Sequence, residues 1–281
     1  MRTALGRWGE RNPLGRHAGR LGSRRAEAWG LLAAFAAVAA LAFVLQRYWL
    51  HVSLYDGLRP RFSTRWLTLA LLSEAFLLLP WAAARGALGW RRLQLDGLLD
   101  EYRRTHLAPL EIALGALSAA IRPVAWFLAL SLVMALGLAL VAGQPTLARV
   151  ALAHALLAAM ALSFAALGQA GASGRRSWVA VPAAAALMLL AAVGILALNP
   201  FLRGMADPGP WIWWALLPNP VTAIGALLDV DVLRYPLIYE LTNAHEYLFV
   251  YPGMWHTAGL YLALGAAAIG VQASRLARRE S

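Results

Sequence analysis

Residues 119–142 contain the stretch that decides the fold, and they read AAIRPVAWFLALSLVMALGLALVA. One charged residue, Arg122, lies near the start of an otherwise apolar run. A helix needs about 20 apolar residues to cross the roughly 30 Å hydrocarbon core of a bilayer. Apolar and polar residues do not alternate here, as they would in the strands of a membrane barrel. The stretch therefore predicts a transmembrane helix.

Five further stretches have the same character. The six predicted spans are residues 28–46, 66–84, 119–142, 147–170, 178–198 and 255–274. Alanine, leucine and glycine dominate them, and small residues let helices approach closely in lipid. We therefore predict an all-α integral membrane protein. It comprises a basic tail (1–27), a compact six-helix membrane domain (28–276) and a short C-terminal tail (277–281).

The composition of the 281-residue chain agrees with this class. Apolar residues make up 60% of the chain and charged residues 14%, and the mean hydropathy is +0.59. Soluble domains contain about 45–50% apolar and about 25% charged residues. There is no cysteine, which excludes a disulfide scaffold and a thiol enzyme. The net charge of +11 sits in tails and short loops, so we expect contact with membrane lipids and no nucleic-acid partner.

The basic residues predict the orientation, and all 25 of them are arginine. If the N-terminus is cytoplasmic, 17 arginines lie inside and seven outside, with Arg122 uncounted because it lies within a span. Cytoplasmic loops carry the excess of basic residues, so we predict that both termini are cytoplasmic. Because the chain lacks lysine, it contains no P-loop and does not bind ATP in that way.

The connection between the second and third spans contains a predicted amphipathic helix. Leu95, Leu98, Leu99 and Tyr102 follow the i, i+3, i+4, i+7 spacing of one helix face, and we expect Pro109 to end the helix. The opposite face carries Asp96, Asp100, Glu101, Arg103 and Arg104. Two interpretations remain open: a helix lying on the inner leaflet, and a docking helix for a cytoplasmic partner.

The outer segment between the last two spans, residues 199–254, is long, acidic and rich in tryptophan. Pro218 and Pro220 interrupt its apolar run from Trp211 to Leu228. Broken backbone at membrane depth is tolerated only where protein covers it. We therefore predict a re-entrant or interfacial pair of helices that caps the bundle.

Three stretches together resemble one family. The segment Leu99–Gly115, LDEYRRTHLAPLEIALG, resembles the segment between the second and third spans of type-2 ABC transporter permeases. Gly168–Arg176 and Pro218–Ala223 resemble two further segments of the same permeases. The resemblance implies a permease subunit that forms a translocation path in the bacterial inner membrane. It also implies a homodimer or a dimer with a related permease, and a separate ATPase subunit that binds the ATP and Mg²⁺. No cofactor is expected in this chain.

In that family the segment after the second span forms a coupling helix, which seats in a groove of the ATPase subunit. Carried over to this sequence, the resemblance implies contacts with the ATPase by five residues. They are Asp100, Glu101, Arg103, Arg104 and Thr105.

Polar residues within the predicted spans form a second candidate site. A charged side chain at the membrane centre costs roughly 2.5–3.5 kcal/mol on insertion scales. Glu74 lies midway along the second span, His154 lies about two turns into the fourth, and Arg122 lies near the inner start of the third. They either line a translocation path or pair internally, for instance Glu74 with His154 or Arg122.

Other classes receive less support. There is no zinc-protease motif, and no catalytic or metal-binding residues are predicted. Gly171–Gly174 and His256 resemble the serine and histidine segments of rhomboid proteases, a remote alternative. The predicted topology places Ser173 and His256 at opposite membrane surfaces, whereas a Ser–His dyad requires hydrogen-bond contact. A secondary transporter or channel without an ATPase remains the stronger alternative.

Overall fold

The computed structural model describes residues 29–37, 39–40, 60–104, 107–142, 146–172, 179–202, 204–205, 208–232 and 251–278. Its helices are α1 (Pro60–Leu95), α2 (Leu98–Arg103), α3 (Pro109–Ala142), α4 (Leu147–Ala172), α5 (Ala180–Leu202), α6 (Gly209–Leu216), α7 (Pro220–Leu227) and α8 (Met254–Ala277). Residues 29–37 and 39–40 are also helical, and no strand occurs within the described ranges. The all-α prediction is confirmed for this part of the chain.

Four described helices are long and apolar enough to cross a membrane. They are Thr64–Leu95, Pro109–Leu140, Leu147–Ala172 and Met254–Ala277. The apolar part of α5, Val181–Gly194, is shorter, and much of the predicted span 28–46 lies outside the described residues. The described part thus forms a multi-pass helical bundle with four candidate spans, where the sequence predicted six.

The packing of α1 against α4 brings the two backbones into direct contact. A Cβ atom added to Gly86 would lie 1.9 Å from the carbonyl oxygen of Ala165. A Cβ atom added to Gly168 would lie 2.0 Å from the carbonyl oxygen of Ala83. Only glycine allows this approach, which is the small-residue packing expected of membrane helices. We call this contact the glycine crossing.

Two helices extend well beyond the predicted spans 66–84 and 119–142. α1 has 36 residues and α3 has 34, so each is about 50 Å long at 1.5 Å per residue. α3 starts early because Pro109 suits the first helical position and the Ala108 N–H donates to Glu111 Oε2 (2.9 Å), half of a capping box. The span prediction followed hydropathy alone and missed these extensions.

The predicted amphipathic helix is shorter than expected. Gly97 adopts a left-handed conformation (φ 70°) and separates α1 from α2. Leu95 therefore ends α1 with 74% of its surface exposed and does not join the apolar face of α2. α2 ends at Arg103, and Pro109 begins α3 where we expected it to end the preceding helix. The sequence pattern had joined two helices at the point where glycine turns the chain.

The run from Trp211 to Leu228 breaks at its prolines into two eight-residue helices, α6 and α7. The tip of this hairpin reaches between two long helices. The Asn219 amide donates a hydrogen bond to the carbonyl oxygen of Ala192 in α5 (3.0 Å). The Tyr261 hydroxyl of α8 donates a hydrogen bond to the carbonyl oxygen of Pro218 (2.6 Å). Ala192 lies about 15 Å along α5 from its C-terminal end, and Tyr261 about 10 Å along α8 from its start.

Candidate functional site

The short helix α2 packs into an apolar cluster that joins one end of the bundle. We call it the α2-end cluster. Its buried members are Ala87, Trp90, Leu93, Leu99, Tyr102, Ile112, Ala116, Ala172 and Leu276, which come from α1, α2, α3, α4 and α8. Val181 of α5 packs against it, partly buried. Leu99 and Tyr102 thus place α2 in the same apolar cluster as one end of the long helices, with its closest packing against α1.

The opposite face of α2 is polar and exposed, as the sequence predicted. Asp100, Glu101 and Arg104 are exposed there. The Arg103 side chain and Thr105 lie outside the described part of the chain. Burial, and secondarily the negative charge of Glu101, raises the pKa of the Tyr102 hydroxyl above its ordinary value.

Three polar side chains that the sequence analysis did not single out are buried at this same end. Gln169 of α4 donates its amide to the Ala113 carbonyl oxygen of α3 (2.8 Å). Its Oε1, both amide atoms of Gln272 and Nε1 of Trp90 have no hydrogen-bond partner among the described residues. The sequence gave no indication that these glutamines are buried, because glutamine near the end of a span is more often exposed.

The second candidate site lies inside the bundle, where Glu74 is fully buried and His154 is 4% exposed. Ser131 of α3 donates its hydroxyl to Glu74 Oε1 (2.5 Å). His154 Nε2 of α4 lies 3.5 Å from Glu74 Oε2, and neither of these two atoms has a hydrogen bond among the described residues. His154 Nδ1 lies 3.0 Å from the Val150 carbonyl oxygen. The site thus joins three helices through one carboxyl group.

Arg122 does not take part in this arrangement. It is exposed on α3, nine residues before Ser131, about 13 Å along the helix. Sequence reasoning missed Ser131 because a serine within a span is common and bears no charge. Nothing in the sequence of α3 indicated that Ser131 faces Glu74.

At the end of the bundle opposite α2, a polar contact joins the hairpin of α6 and α7 to the start of α4. Arg149, near the start of α4, forms an ion pair with Asp229, which follows α7. Asp229 adopts a positive φ of 57°, uncommon for a residue other than glycine. Trp211 and Trp214 of α6 are exposed, as is Trp255 of α8, a distribution typical of a membrane–water interface.

Of the rhomboid-like residues, His256 lies within the described part of the chain, near the start of α8. Ser173 of the rhomboid-like motif lies outside this part, so its distance from His256 is not defined. The His256 ring packs against Trp213 with ring centroids 5.6 Å apart. Within the described ranges there is no group of three or more His, Cys, Asp or Glu residues that could hold a metal ion.

The fold and these two sites define the chain as a multi-pass helical membrane protein. Comparisons with known protein families, with curated proteins and with solved structures find no match. The function must therefore be argued from the residues themselves.

Proposed function

We propose that the chain is the membrane-spanning permease subunit of an ATP-driven transporter of the type-2 ABC class, in a bacterial inner membrane. It pairs with a second permease subunit and with a separate ATPase that binds ATP and Mg²⁺. In this proposal the membrane domain has six spans, both termini and α2 are cytoplasmic, and α2 is the coupling helix.

The observation that carries the proposal is the attachment of α2. A chain without a P-loop must receive mechanical work through an element that a partner can grip. α2 offers exposed Asp100, Glu101 and Arg104 on one face, while Leu99 and Tyr102 on the other are buried among the ends of the long helices. Close-packed interiors transmit displacement rather than absorb it. Movement of α2 by an ATPase would therefore reorient the bundle.

The length of α1 supports the placement of α2 outside the hydrocarbon core, and the distribution of arginine assigns that side to the cytoplasm. About 20 residues separate Arg65 from Arg85 on α1, which corresponds to about 30 Å of helix, the thickness of the hydrocarbon core. The rest of α1, to Leu95, extends about 15 Å further. α2 then stands clear of the membrane surface, within reach of a soluble subunit.

The hairpin of α6 and α7 supports the re-entrant topology. Its turn meets Ala192 and Tyr261 at positions about 10–15 Å from the nearby ends of α5 and α8. Broken backbone at that depth requires polar partners from the protein, and Asn219 and Tyr261 supply them. The hairpin would enter the outer half of the membrane and return without crossing it.

Purification with the native partners tests the proposal. We expect a mild-detergent pull-down of the chain from its native membrane to recover a P-loop ATPase in stoichiometric amount, identified by mass spectrometry. If the chain is folded and the ATPase is repeatedly absent, the proposal is wrong.

The role of α2 predicts a specific loss of assembly. Changing Arg103 and Arg104 together to glutamate should lower recovery of the ATPase about tenfold or more, because like charges placed across an interface cost several kcal/mol. The matched control changes Arg91 and Arg92, exposed on α1, to glutamate. The control has the same charge change and should keep normal recovery and membrane insertion. Equal recovery with both double variants would contradict the role of α2.

A second candidate function, secondary transport without an ATPase, is favoured by the buried Glu74–His154 contact, since intramembrane ionisable pairs mark proton relays in pumps and transporters. The purified chain in proteoliposomes containing a pH-sensitive dye provides the test. Proton flux without ATP or a partner would favour this candidate, whereas sealed vesicles would favour the ATP-driven permease.

A further inference from the structure

We propose that Glu74 and His154 together hold one proton and form an occluded proton-binding site at the centre of the bundle. The proposal concerns the ligand of this site alone, and it stands whether or not the chain works with an ATPase. It follows from the hydrogen-bonding capacity of three side chains and from the ionisable groups around them.

The tautomer of His154 follows from its neighbour. His154 Nδ1 lies at hydrogen-bond distance, 3.0 Å, from the Val150 carbonyl oxygen, and a carbonyl oxygen can only accept a hydrogen bond. Nδ1 therefore carries a hydrogen. A neutral imidazole has one N–H, so in the neutral ring Nε2 is a bare acceptor, and it faces Glu74 Oε2.

An ionised Glu74 opposite a neutral His154 is the unfavourable arrangement. Both carboxylate oxygens are then acceptors, and Oε2 faces a second acceptor at 3.5 Å. Ser131 has one hydroxyl hydrogen, which it can donate to Oε1 (2.5 Å) or to the Leu128 carbonyl oxygen (3.2 Å), so it satisfies at most one oxygen of Glu74. A buried charge without sufficient partners is costly in an apolar interior. One added proton removes the conflict, either on Oε2 donating to Nε2 or on Nε2 donating to Oε2.

Among the side chains that the structure describes on the surrounding helices, no other ionisable group contacts this pair. Residues 29–37 and 39–40, α5 and α7 contain none. The other ionisable side chains that the structure describes on α1, α3, α4 and α8 lie towards helix ends, are exposed, or have other contacts: Arg65, Arg85, Arg91, Arg92, Glu111, Arg122, Arg149, His256, Tyr261 and Arg275. Within the described part of the chain, the charge of the pair is therefore set by its own proton count.

Counting charge gives the preferred state. With one proton the pair is neutral overall, with none its charge is −1, and with two it is +1. Burial penalises both charged states, so the folded protein keeps one proton over a broad pH range. Exchange of this proton requires water at Oε2 and Nε2. Because α1, α3 and α4 all contribute to the site, exchange requires these helices to separate.

Proton linkage predicts a pH-dependent stability. Above about pH 8 the unfolded chain has lost the proton from both groups, since Glu and His then lie well above their ordinary titration range. The folded state binds one proton more than the unfolded state, so stability falls as the pH rises. We expect the unfolding equilibrium constant of the full chain to increase with pH above about pH 7, by up to about tenfold per pH unit for as long as the folded pair retains its proton. Reversible unfolding in mixed micelles measures it.

The substitution Glu74→Gln isolates the contribution of the bound proton to the pH dependence of stability. Glutamine keeps the shape, accepts from Ser131 and donates to His154 Nε2 without a proton from solution, so the tenfold dependence should disappear. The chain has no lysine or cysteine that would titrate in this window, and the other groups are common to both proteins. If the glutamine variant does not fold, Glu74→Met removes the same proton.

Glu111→Gln is the matched control, because it makes the same chemical change at the half-buried start of α3, far along the helix from Ser131, and should leave the pH dependence as in the unmodified chain. An unfolding constant of the unmodified chain that stays flat from pH 7 to pH 9.5 would overturn the proposal. So would a slope that persists unchanged in the Glu74 variants, since the proton would then be held elsewhere.

Discussion

Gly86→Ala is expected to cost more than about 3 kcal/mol of stability, beyond the usual range for an overpacked core. The added methyl group would lie 1.9 Å from the Ala165 carbonyl oxygen and 2.8 Å from its carbon. Both atoms belong to the backbone, so no change of rotamer relieves the clash. α1 and α4 must move apart, and the buried contacts on both helices weaken. Reversible unfolding in mixed micelles gives the loss.

Gly270→Ala in α8 serves as the control, because no described atom lies within 4 Å of the added methyl group. This variant should be neutral or up to about 1 kcal/mol more stable, since alanine favours helix. Gly168→Ala should behave like Gly86→Ala, because its Cβ would meet the Ala83 carbonyl oxygen at 2.0 Å. If both crossing variants are as stable as the control, the glycine crossing does not exist in the folded protein.

Asn219→Ala is expected to cost about 2–4 kcal/mol, because the fully buried amide serves two purposes. Its Oδ1 accepts from the N–H groups of Val221 (2.9 Å) and Thr222 (3.2 Å) at the start of α7, a helix cap worth about 1 kcal/mol. Its Nδ2 donates to the Ala192 carbonyl oxygen. Leaving buried groups unsatisfied costs a further 1–3 kcal/mol or so.

Asn219→Ser separates the two contributions. Serine can cap α7 but is too short to reach Ala192, so it should recover about 1 kcal/mol of the loss. Thermal unfolding of the three proteins in the same detergent ranks them. A serine variant no more stable than the alanine variant would show that the cap contributes nothing.

The sequence predicted the helical class of the bundle well, because apolar length is a physical requirement for crossing a bilayer. It predicted helix ends poorly. Hydropathy ends a span where charge begins, yet α1 continues past Arg85, Arg91 and Arg92 to Leu95. Charged residues end the membrane contact of a helix without ending the helix itself.

For the candidate sites, the sequence indicated the charged residues but not their neutral neighbours. Glu74 and His154 stood out because charge is rare within spans, and the structure brings them together. Ser131 and Gln272 were missed, because their importance depends on which neighbours face them across helices. Gly86 and Gly168 resembled the other small residues of the spans, since a close backbone approach leaves no distinct mark in a sequence rich in glycine and alanine.

The glycine crossing has a mechanical consequence. Along α1, Gly86 lies about 14 Å from Leu95, beside α2, and about 18 Å from Glu74. With no side chain between the backbones at Gly86 and Gly168, a tilt of α1 relative to α4 has its fulcrum at this point. When α1 tilts as a rigid rod, its parts on either side of Gly86 move in opposite directions. A displacement of about 3 Å beside α2 then corresponds to a displacement of about 4 Å at Glu74. The part of α1 between Gly86 and the proton site at Glu74 is the longer of the two, so the displacement is larger there.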